Sequence, residues 1–428
     1  MMDLAPFYGA YRADGKGRPA YDPAAMVALL FYSYARKNRS SRGIERACVE
    51  DVACRLIMAG ETPDHSTIAE FRKRHETAIA GLFGDVLGLC AEAGLAKVGV
   101  IALDGTKVGA NASRFANLDY EQIARQLLAE HELADQLDDQ SPEDDDDDPP
   151  FEELGLEGRR EWLREAKRRV ERRRIERAKP VPRDRGSRLR ESRRRLQEDL
   201  RAEHRGNRLY EDYRARGVMK NGRRFGRPPD PYQPPEVPAG KVNITDPDSR
   251  EVKTVRWVIQ GYNPQAVVNE QQVVLAAEIS AQSADFGLLG PMVDATRREL
   301  AAAGVTDTPQ VLLADSGYWH NDQMDEVTAS GLPLLIPPEA ATNKGIRRGW
   351  HGPRFQWMRH VLESEPGSVL YRKRKVMIEP VFAQMKFNRG FERFQRRGRS
   401  AARSEWRLAA ATHNLLKLHN HRLRLQTA

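Results

Sequence analysis

The chain is 428 residues long, 30% charged and 40% hydrophobic, with a formal net charge of +8. That length admits two or three domains and a sizeable core, and the basic balance points to a polyanionic partner only if the excess is local, because 61 acids oppose 69 bases. No apolar run approaches the ~18 residues of a membrane span, and the N-terminus lacks a signal-peptide pattern, which excludes a membrane protein and leads to the expectation of a cytoplasmic one.

Residues 21 to 95 read as helical. Pro23 starts a run with Met26, Leu29, Leu30 and Tyr34, and a second run carries Ile44, Ala47, Cys48, Val52 and Leu56. In the stretch from Thr62 to His75, Asp64 or Ser66 caps a helix whose outer face carries Arg72, Lys73 and Arg74. Two short helices and a capped basic helix resemble a helix-turn-helix reader; a plain helical subdomain with a basic rim fits equally well. Cys48, Cys54 and Cys90 form no C-x-x-C pair and are odd in number, against a disulfide framework or a zinc knuckle and in keeping with a reducing cytosol.

Val98 to Leu103 is a short apolar strand ending in Asp104-Gly105, and Val311 to Ala314 repeats the design ahead of Asp315 and Gly317. An aspartate at each strand tip can face a shared cleft, with the glycine allowing close approach of a substrate or metal; either could equally be a turn residue. Between them, residues 119 to 157 hold 16 acids against one arginine, and residues 158 to 227 hold 27 bases against 11 acids. Trp162, Ala166 and Val170 give this insertion a thin apolar stripe, so a long charged helix or hairpin is expected, with disorder over 140 to 150 and a Pro-rich linker over 226 to 240. The basic half has two readings, DNA binding or self-screening against the acidic half.

After the linker, Val258–Asn269 and Gln272 to Ile279 read as an antiparallel pair joined near Asn269, residues 286 to 303 as a helix, Asn321 to Ser330 as another and Leu332 to Ile336 as a strand. These pack naturally as a mixed α/β sheet with flanking helices. Glu379 then stands in a row of cations: on a helix, Glu379, Ala383, Lys386 and Arg389 or Arg393 share a face, which suits a carboxylate holding Mg against a phosphate backbone. Pro380 places Glu379 near the helix start. The plainer alternative is a solvated amphipathic helix with Phe382, Met385 and Phe387 as core contacts. Ser400 to Leu425 forms a last apolar-faced helix, and His413, His419 and His421 lack zinc-site spacing.

Taken together, Tyr21-Asp-Pro23, Thr62 to Arg72, Ala102-Leu-Asp104-Gly-Thr-Lys107-Val-Gly-Ala-Asn111-Ala-Ser113, Asn243-Ile-Thr-Asp246-Pro-Asp-Ser, Gly261-Tyr-Asn263-Pro-Gln265-Ala, Ala314-Asp315-Ser-Gly317-Tyr318 and Glu379 to Lys386 resemble the DDE transposases of bacterial insertion sequences. The likeness lies in the IS4 and IS5 assemblage, most closely the IS1182 group, and covers nearly the whole chain. It implies an N-terminal all-helical DNA-binding domain over 1–95, an RNase H-like catalytic domain over 96–114 and 241–428, and a charged insertion with its linker over 115–240. It also implies a DDE triad of Asp104, Asp315 and Glu379 with two Mg or Mn ions, cutting and joining double-stranded DNA at the terminal inverted repeats, in a homodimer. Asp104 would bridge the ions. Lys386 and Arg389 would bind phosphates near the cut, while Arg72 and Arg74 are candidates for contacts to the repeats. Glu379 and Lys386 keep the family's E-x6-K spacing, but Tyr371 and Arg374 precede Glu379 one residue too far upstream, with Lys375 in the register expected for arginine.

Three other readings compete: a nuclease that cleaves without joining, a catalytically silent transposase-derived DNA-binding protein or repressor, and an RNA-binding protein working through the arginine-rich block.

Overall fold

The structure is a computed structural model that describes all residues except 1, 12–19, 131–149, 152–155, 157, 178–179, 218–230, 234, 255–256, 340–351 and 428. The chain divides into two compact units, Met1–Asn111 with Ser249–Ala428, and Ala112–Asp248. The first unit opens with helices α1 (Ala5–Tyr8), α2 (Pro23–Ala35), α3 (Ser41–Glu50), α4 (Val52–Ile57), α5 (His65–Arg74) and α6 (Glu76–Glu92). Aspartates start several of them: Asp22 accepts from Ala24 and Ala25 N–H, Asp51 from Ala53 and Cys54, and Asp64 from Thr67, meeting donors that a first helical turn leaves unpaired. The apolar run expected from Ile44 to Leu56 is therefore cut at Asp51, where the cap restarts the helix. Val52 and Leu56 are exposed, and the three cysteines are buried and free.

Strands β1 (Val100–Gly105) and β2 (Val108–Gly109) follow, and then the second unit with β3 (Asn117–Leu118), α7 (Tyr120–Glu130), α8 (Arg159–Glu176), α9 (Arg185–Ala215) and β4 (Val242–Asn243). Helices α8 and α9 pack on a core of Phe151, Trp162, Ala166, Ala202, Tyr210 and Tyr213, with Val170 against it. At Gly206 a Cβ would stand 3.0 Å from both Ala166 Cβ and Trp162 O, so the absence of a side chain sets how closely the helices approach. Asn243 clasps the base of this unit, its Nδ2 donating to Ser113 O and Asn117 Oδ1, its Oδ1 accepting from Thr245 and Asp246 N–H. Residues 140–149 of the stretch expected to be disordered over 140 to 150, and residues 226–230 and 234 of the linker expected over 226 to 240, lie outside the described residues.

The first unit resumes with β5 (Arg250–Lys253), β6 (Val258–Asn269), β7 (Val274–Ser280), α10 (Leu289–Ala302), β8 (Val311–Leu313), α11 (Asn321–Ala329), β9 (Leu334–Leu335), α12 (Pro353–Glu363), α13 (Glu365–Ala383) and α14 (Arg399–Thr427). Its sheet is mixed. β1 lies antiparallel to β6 and parallel to β8, β9 continues the parallel side, β7 returns from β6 as a hairpin, and β2 and β5 pair with the first half of β6. Val100-Ile-Ala-Leu103 is buried throughout, as a strand between neighbours and under helices must be. Helix α14 packs on α6 and β7, α10 on β7, and α13 on β1.

Glu379 lies near the end of α13, not near a helix start, and Pro380 sits inside that helix. Proline leaves the carbonyl four residues earlier without its helical donor; here Val376 O accepts from Gln272 Nε2 at 2.9 Å, which lets the helix run on. A π turn, Gln384–Asn388, follows α13. It breaks the expected single face: Arg393 bridges Gly109 and donates to Ala110 O at 2.8 Å, and Phe387, expected as a core contact, is exposed.

Buried polar bonds fasten α14 to its surroundings. Arg39 forms a fully buried 3.0 Å ion pair with Glu405 and also donates to Gly390 O and Arg393 O at 2.6 and 2.9 Å. Asn414 exchanges two 2.8 Å hydrogen bonds with the backbone of Val274, closing part of β7 as another strand would. His413 Nε2 lies 2.9 Å from Gln272 O and Nδ1 lies 3.2 Å from the donor Arg389 Nη1. These partners select the neutral tautomer with the proton on Nε2. Burial, opposed by the Gln272 carbonyl and reinforced by Arg389 and Lys417, lowers the imidazole pKa to about 3.

The unfolded chain therefore takes up a proton at His413 near the ordinary value of 6.5 while the folded one resists until about 3. Stability from this residue is complete above the unfolded value and falls as pH drops through that window, by up to about 5 kcal/mol at ~1.4 kcal/mol per pH unit. Urea denaturation between pH 7 and 4 is expected to show this slope in the wild type and a shallower one in His413→Gln.

Candidate active site

Parallel register sets two acids side by side. β1 and β8 pair as Val100↔Val311, Ile101↔Leu312 and Ala102↔Leu313. Asp104 follows Ala102 by two residues and Asp315 follows Leu313 by two, so both stand at the carboxyl ends of neighbouring strands, where open α/β sheets bind ligands. Asp104 Oδ1 accepts from Gly105 N–H at 2.8 Å, and Asp315 Oδ1 from Gly317 N–H at 2.7 Å at the start of a 3-10 turn. Burial pushes the Asp104 pKa up to about 6, with Asp315 and Asp285 adding to the rise and Arg374 opposing it. Asp315 is raised in the same way, by burial and by Asp285, against Gly317 N–H, Arg374 and Lys107.

Arg374 is the counter-charge: its Nη1 donates to Asp104 Oδ2 at 2.7 Å, with both side chains largely buried. Tyr371, one turn earlier on α13, donates to Ala314 O at 3.3 Å. Both residues thus reach the strand tips despite their spacing from Glu379, and Lys375, in the register expected for arginine, is exposed. Lys386 Nζ donates to Thr106 Oγ1 and Lys107 O, both at 2.9 Å, just beyond Asp104. Arg389 is turned instead to His413.

Glu379 is exposed, and among the described residues no three acidic, histidine or cysteine side chains converge closely enough to share one metal ion. The structure thus brings Asp104, Asp315, Arg374, Tyr371 and Lys386 together and leaves Glu379 outside any such cluster. Arg72, expected on the outer face of α5, is 4% exposed and donates to Tyr34 Oη at 2.7 Å and Arg39 O at 3.0 Å. Its side chain braces α5 against α2 and is withdrawn as a DNA contact. Arg74 is exposed and lies over the Tyr11 ring.

Three further residues belong to the site. Asp285 Oδ1 receives Asn263 Nδ2 at 2.7 Å and Gln265 Nε2 at 3.0 Å, with Lys107 Nζ at 3.4 Å. Tyr318 in turn donates to Gln265 Oε1. The signal for Asn263 and Gln265 was present: two amides at alternate positions of a strand buried along nearly all its length point the same way. Asp285 sits in a loop with no such pattern. Gly105 pairs opposite Gln265, and a Cβ there would stand 2.7 Å from Asp285 Oδ1 and 2.8 Å from Asn263 Oδ1. Asn263 Oδ1 itself is buried without a hydrogen-bond partner. Hard carboxylate oxygens, an orphaned acceptor and a cradle that a Cβ would fill together suit a divalent cation of the Mg type.

Two family models match: Transposase domain (DUF772) over residues 1–74 and Transposase DDE domain over residues 343–419. The chain is a DDE transposase of insertion sequences. The pair of matches fits the IS1182 group. No curated protein and no solved structure matches the chain. The DDE match spans Tyr371, Arg374, Glu379, Lys386 and Arg389 of the transposase and does not extend to Asp104 or Asp315. Transposases of this family generally use divalent metal ions. Among the described residues, no helix is long and apolar enough to cross a membrane.

Replacing Gly105 by alanine is expected to destabilise the transposase by about 1–3 kcal/mol, because the new methyl overpacks the Asp285, Asn263 and Gln265 cluster. In Gly88→Ala, where nothing lies within 4 Å of the added Cβ in α6, stability is expected to rise by roughly 0.5–1 kcal/mol. Chemical denaturation of the two variants measures both; equal shifts would show that Gly105 is not packed as described.

Proposed function

We propose that this transposase binds the terminal inverted repeats of its insertion sequence and catalyses metal-dependent strand cleavage and strand transfer, with Asp104, Asp315 and Glu379 as the DDE triad of an RNase H-like domain. The observation that carries the reading is the equal register of Asp104 and Asp315 at the ends of parallel strands, half-buried and with raised pKa values. A central strand flanked by an antiparallel hairpin on one side and parallel strands on the other supports the RNase H-like assignment.

Asp104 and Asp315 would hold Mg or Mn, with Glu379 brought in from α13. When bound, divalent cations supply the charge that activates an attacking oxygen and stabilises a leaving one in an in-line phosphodiester displacement. The chain's own residues prepare that site. Partial burial limits the water around Asp104, while Arg374 holds its carboxylate in place and offsets its charge. Lys386 fixes the Thr106–Lys107 backbone beside Asp104 and presents a cation to a phosphate there, and Tyr371 braces the Asp315 strand end through Ala314. Arg74 on α5 is the remaining basic candidate for the repeats, in a helical N-terminal DNA-binding segment. Two ends cut and joined together call for a homodimer on double-stranded DNA.

The exposed position of Glu379 favours a second reading, a catalytically silent DNA-binding descendant. Labelled DNA carrying the element's own ends, incubated with Mg, Mn or EDTA, separates the two. Cutting at the element boundary that needs the metal and is reduced at least about a thousandfold in Asp104→Asn, Asp315→Asn and Glu379→Gln, with end binding retained, is the expected result. Tight end binding without cutting under either metal would establish the silent binder.

A further inference from the structure

We propose that Asp285 is a metal-facing carboxylate of this site, sharing a divalent cation with Asp315, and that Asn263 and Gln265 are the residues that position it. The inference rests on the metal-dependent reading above and adds to it a residue outside the DDE set.

Asp285 is divided in its bonding. One oxygen, Oδ1, receives Asn263 Nδ2, Gln265 Nε2 and Lys107 Nζ. Such a set of donors fixes a carboxylate's orientation much as outer-shell partners orient metal ligands. The other oxygen, Oδ2, faces the Asp315 turn. A Cβ at Gly317 would lie 3.6 Å from Asp285 Oδ2 and 2.9 Å from Asp315 Oδ1, so the two oxygens border one small space that exists because residue 317 has no side chain.

An independent observation points to a missing positive partner. Asn263 is fully buried, and because its Nδ2 faces the Asp285 carboxylate, its Oδ1 is left as an acceptor with no donor. A buried acceptor without a partner costs about 1–3 kcal/mol; a cation, or water ordered by one, would supply what it lacks. Since among the described residues no three acids converge on one point, the ions are expected to be held by pairs of carboxylates with phosphate completing the shell, as Mg commonly is.

The test uses the full chain and Mn as probe. Free Mn is titrated by electron paramagnetic resonance against wild type, Asp285→Asn, Asn263→Ala and Asp104→Asn, each checked for folding by circular dichroism. A loss of affinity of about tenfold to a hundredfold in Asp285→Asn, with a smaller loss in Asn263→Ala, is expected. In a second measurement that needs no variant, Fe replaces Mn, and peroxide with ascorbate cuts the backbone next to the bound ion; cuts are expected near residue 285 as well as near 104 and 315. Unchanged Mn affinity in Asp285→Asn beside a loss in Asp104→Asn, or iron cuts at 104 and 315 without one near 285, would overturn this proposal and leave the metal reading standing. Failure of the wild type to take up Mn at all would overturn both.

Discussion

A half-buried pair of like charges is the constraint from which the rest of the first unit follows. Parallel pairing of β1 with β8 leaves Asp104 and Asp315 no choice but to be neighbours, and burial makes each charge expensive to leave uncompensated. Compensation for Asp104 comes from an element far away in sequence, Arg374 on α13. Closer by, Lys107 in the turn after β1 pairs with Asp285 and lowers the cost of Asp315, and Lys386 steadies that turn from the π segment after α13. Even so the balance is incomplete: Asp104 remains well above an ordinary carboxylate, and Arg374 Nε is buried without a partner. A site in this condition has more to gain from an added cation than a fully neutralised one.

Holding α13 at the right depth is the second requirement, and it explains polar residues that carry no chemistry. Gln272 replaces the hydrogen bond that Pro380 removes, so the helix reaches Ala383 without a break. Arg39 ties the α2–α3 connection to the loop after the π turn and to Glu405 on α14. The two segments matched by separate family models, 1–74 and 343–419, thus pack within one unit and share a buried ion pair. Such a pair adds little net stability against an apolar substitute, yet removing one partner strands a buried charge. Its effect is to specify how the helices meet.

Much of this was legible in the chain, and the part that was not has a common cause. Strands with a period or run of apolar residues, the helix start at Pro23, the cap at Asp64, the hairpin at Asn269 and the last helix from about Ser400 are local features, written in neighbouring residues. The pairing of Asp104 with Asp315 was visible because the two strands share one design. Arg72 and Glu379 were misplaced because their surroundings are made by distant residues: Tyr34 and Arg39 draw Arg72 inward, and Gln272 rescues a proline that local rules place at a helix start. Asp285 was missed for the same reason, since its partners come from β6 and the turn after β1. Local rules describe what a residue prefers; they do not show which partner the fold brings to it.

The charged insertion shows how little composition alone decides about function. Its arginine-rich block reads equally as a DNA-binding surface or as a self-screening one, and in the second unit many of those cations face acids of the same unit. Arg174 lies 2.9 Å from both Glu198 and Asp199, and Arg195 lies 2.8 Å from Glu191 and 2.7 Å from Asp248. Lys167 reaches Glu203 at 2.7 Å across the two helices. A cavity of about 670 Å³ between them is lined by arginines that include Arg169, Arg174, Arg195 and Arg208, with Glu191 and Glu198 among them. Trp162 and Gly206 set the helix spacing, and the ion pairs fix the register along it, each contributing little individually where exposed. An arginine already engaged this way must give up an acid before it can bind a phosphate, so its charge counts for less toward DNA affinity than its number in the sequence implies.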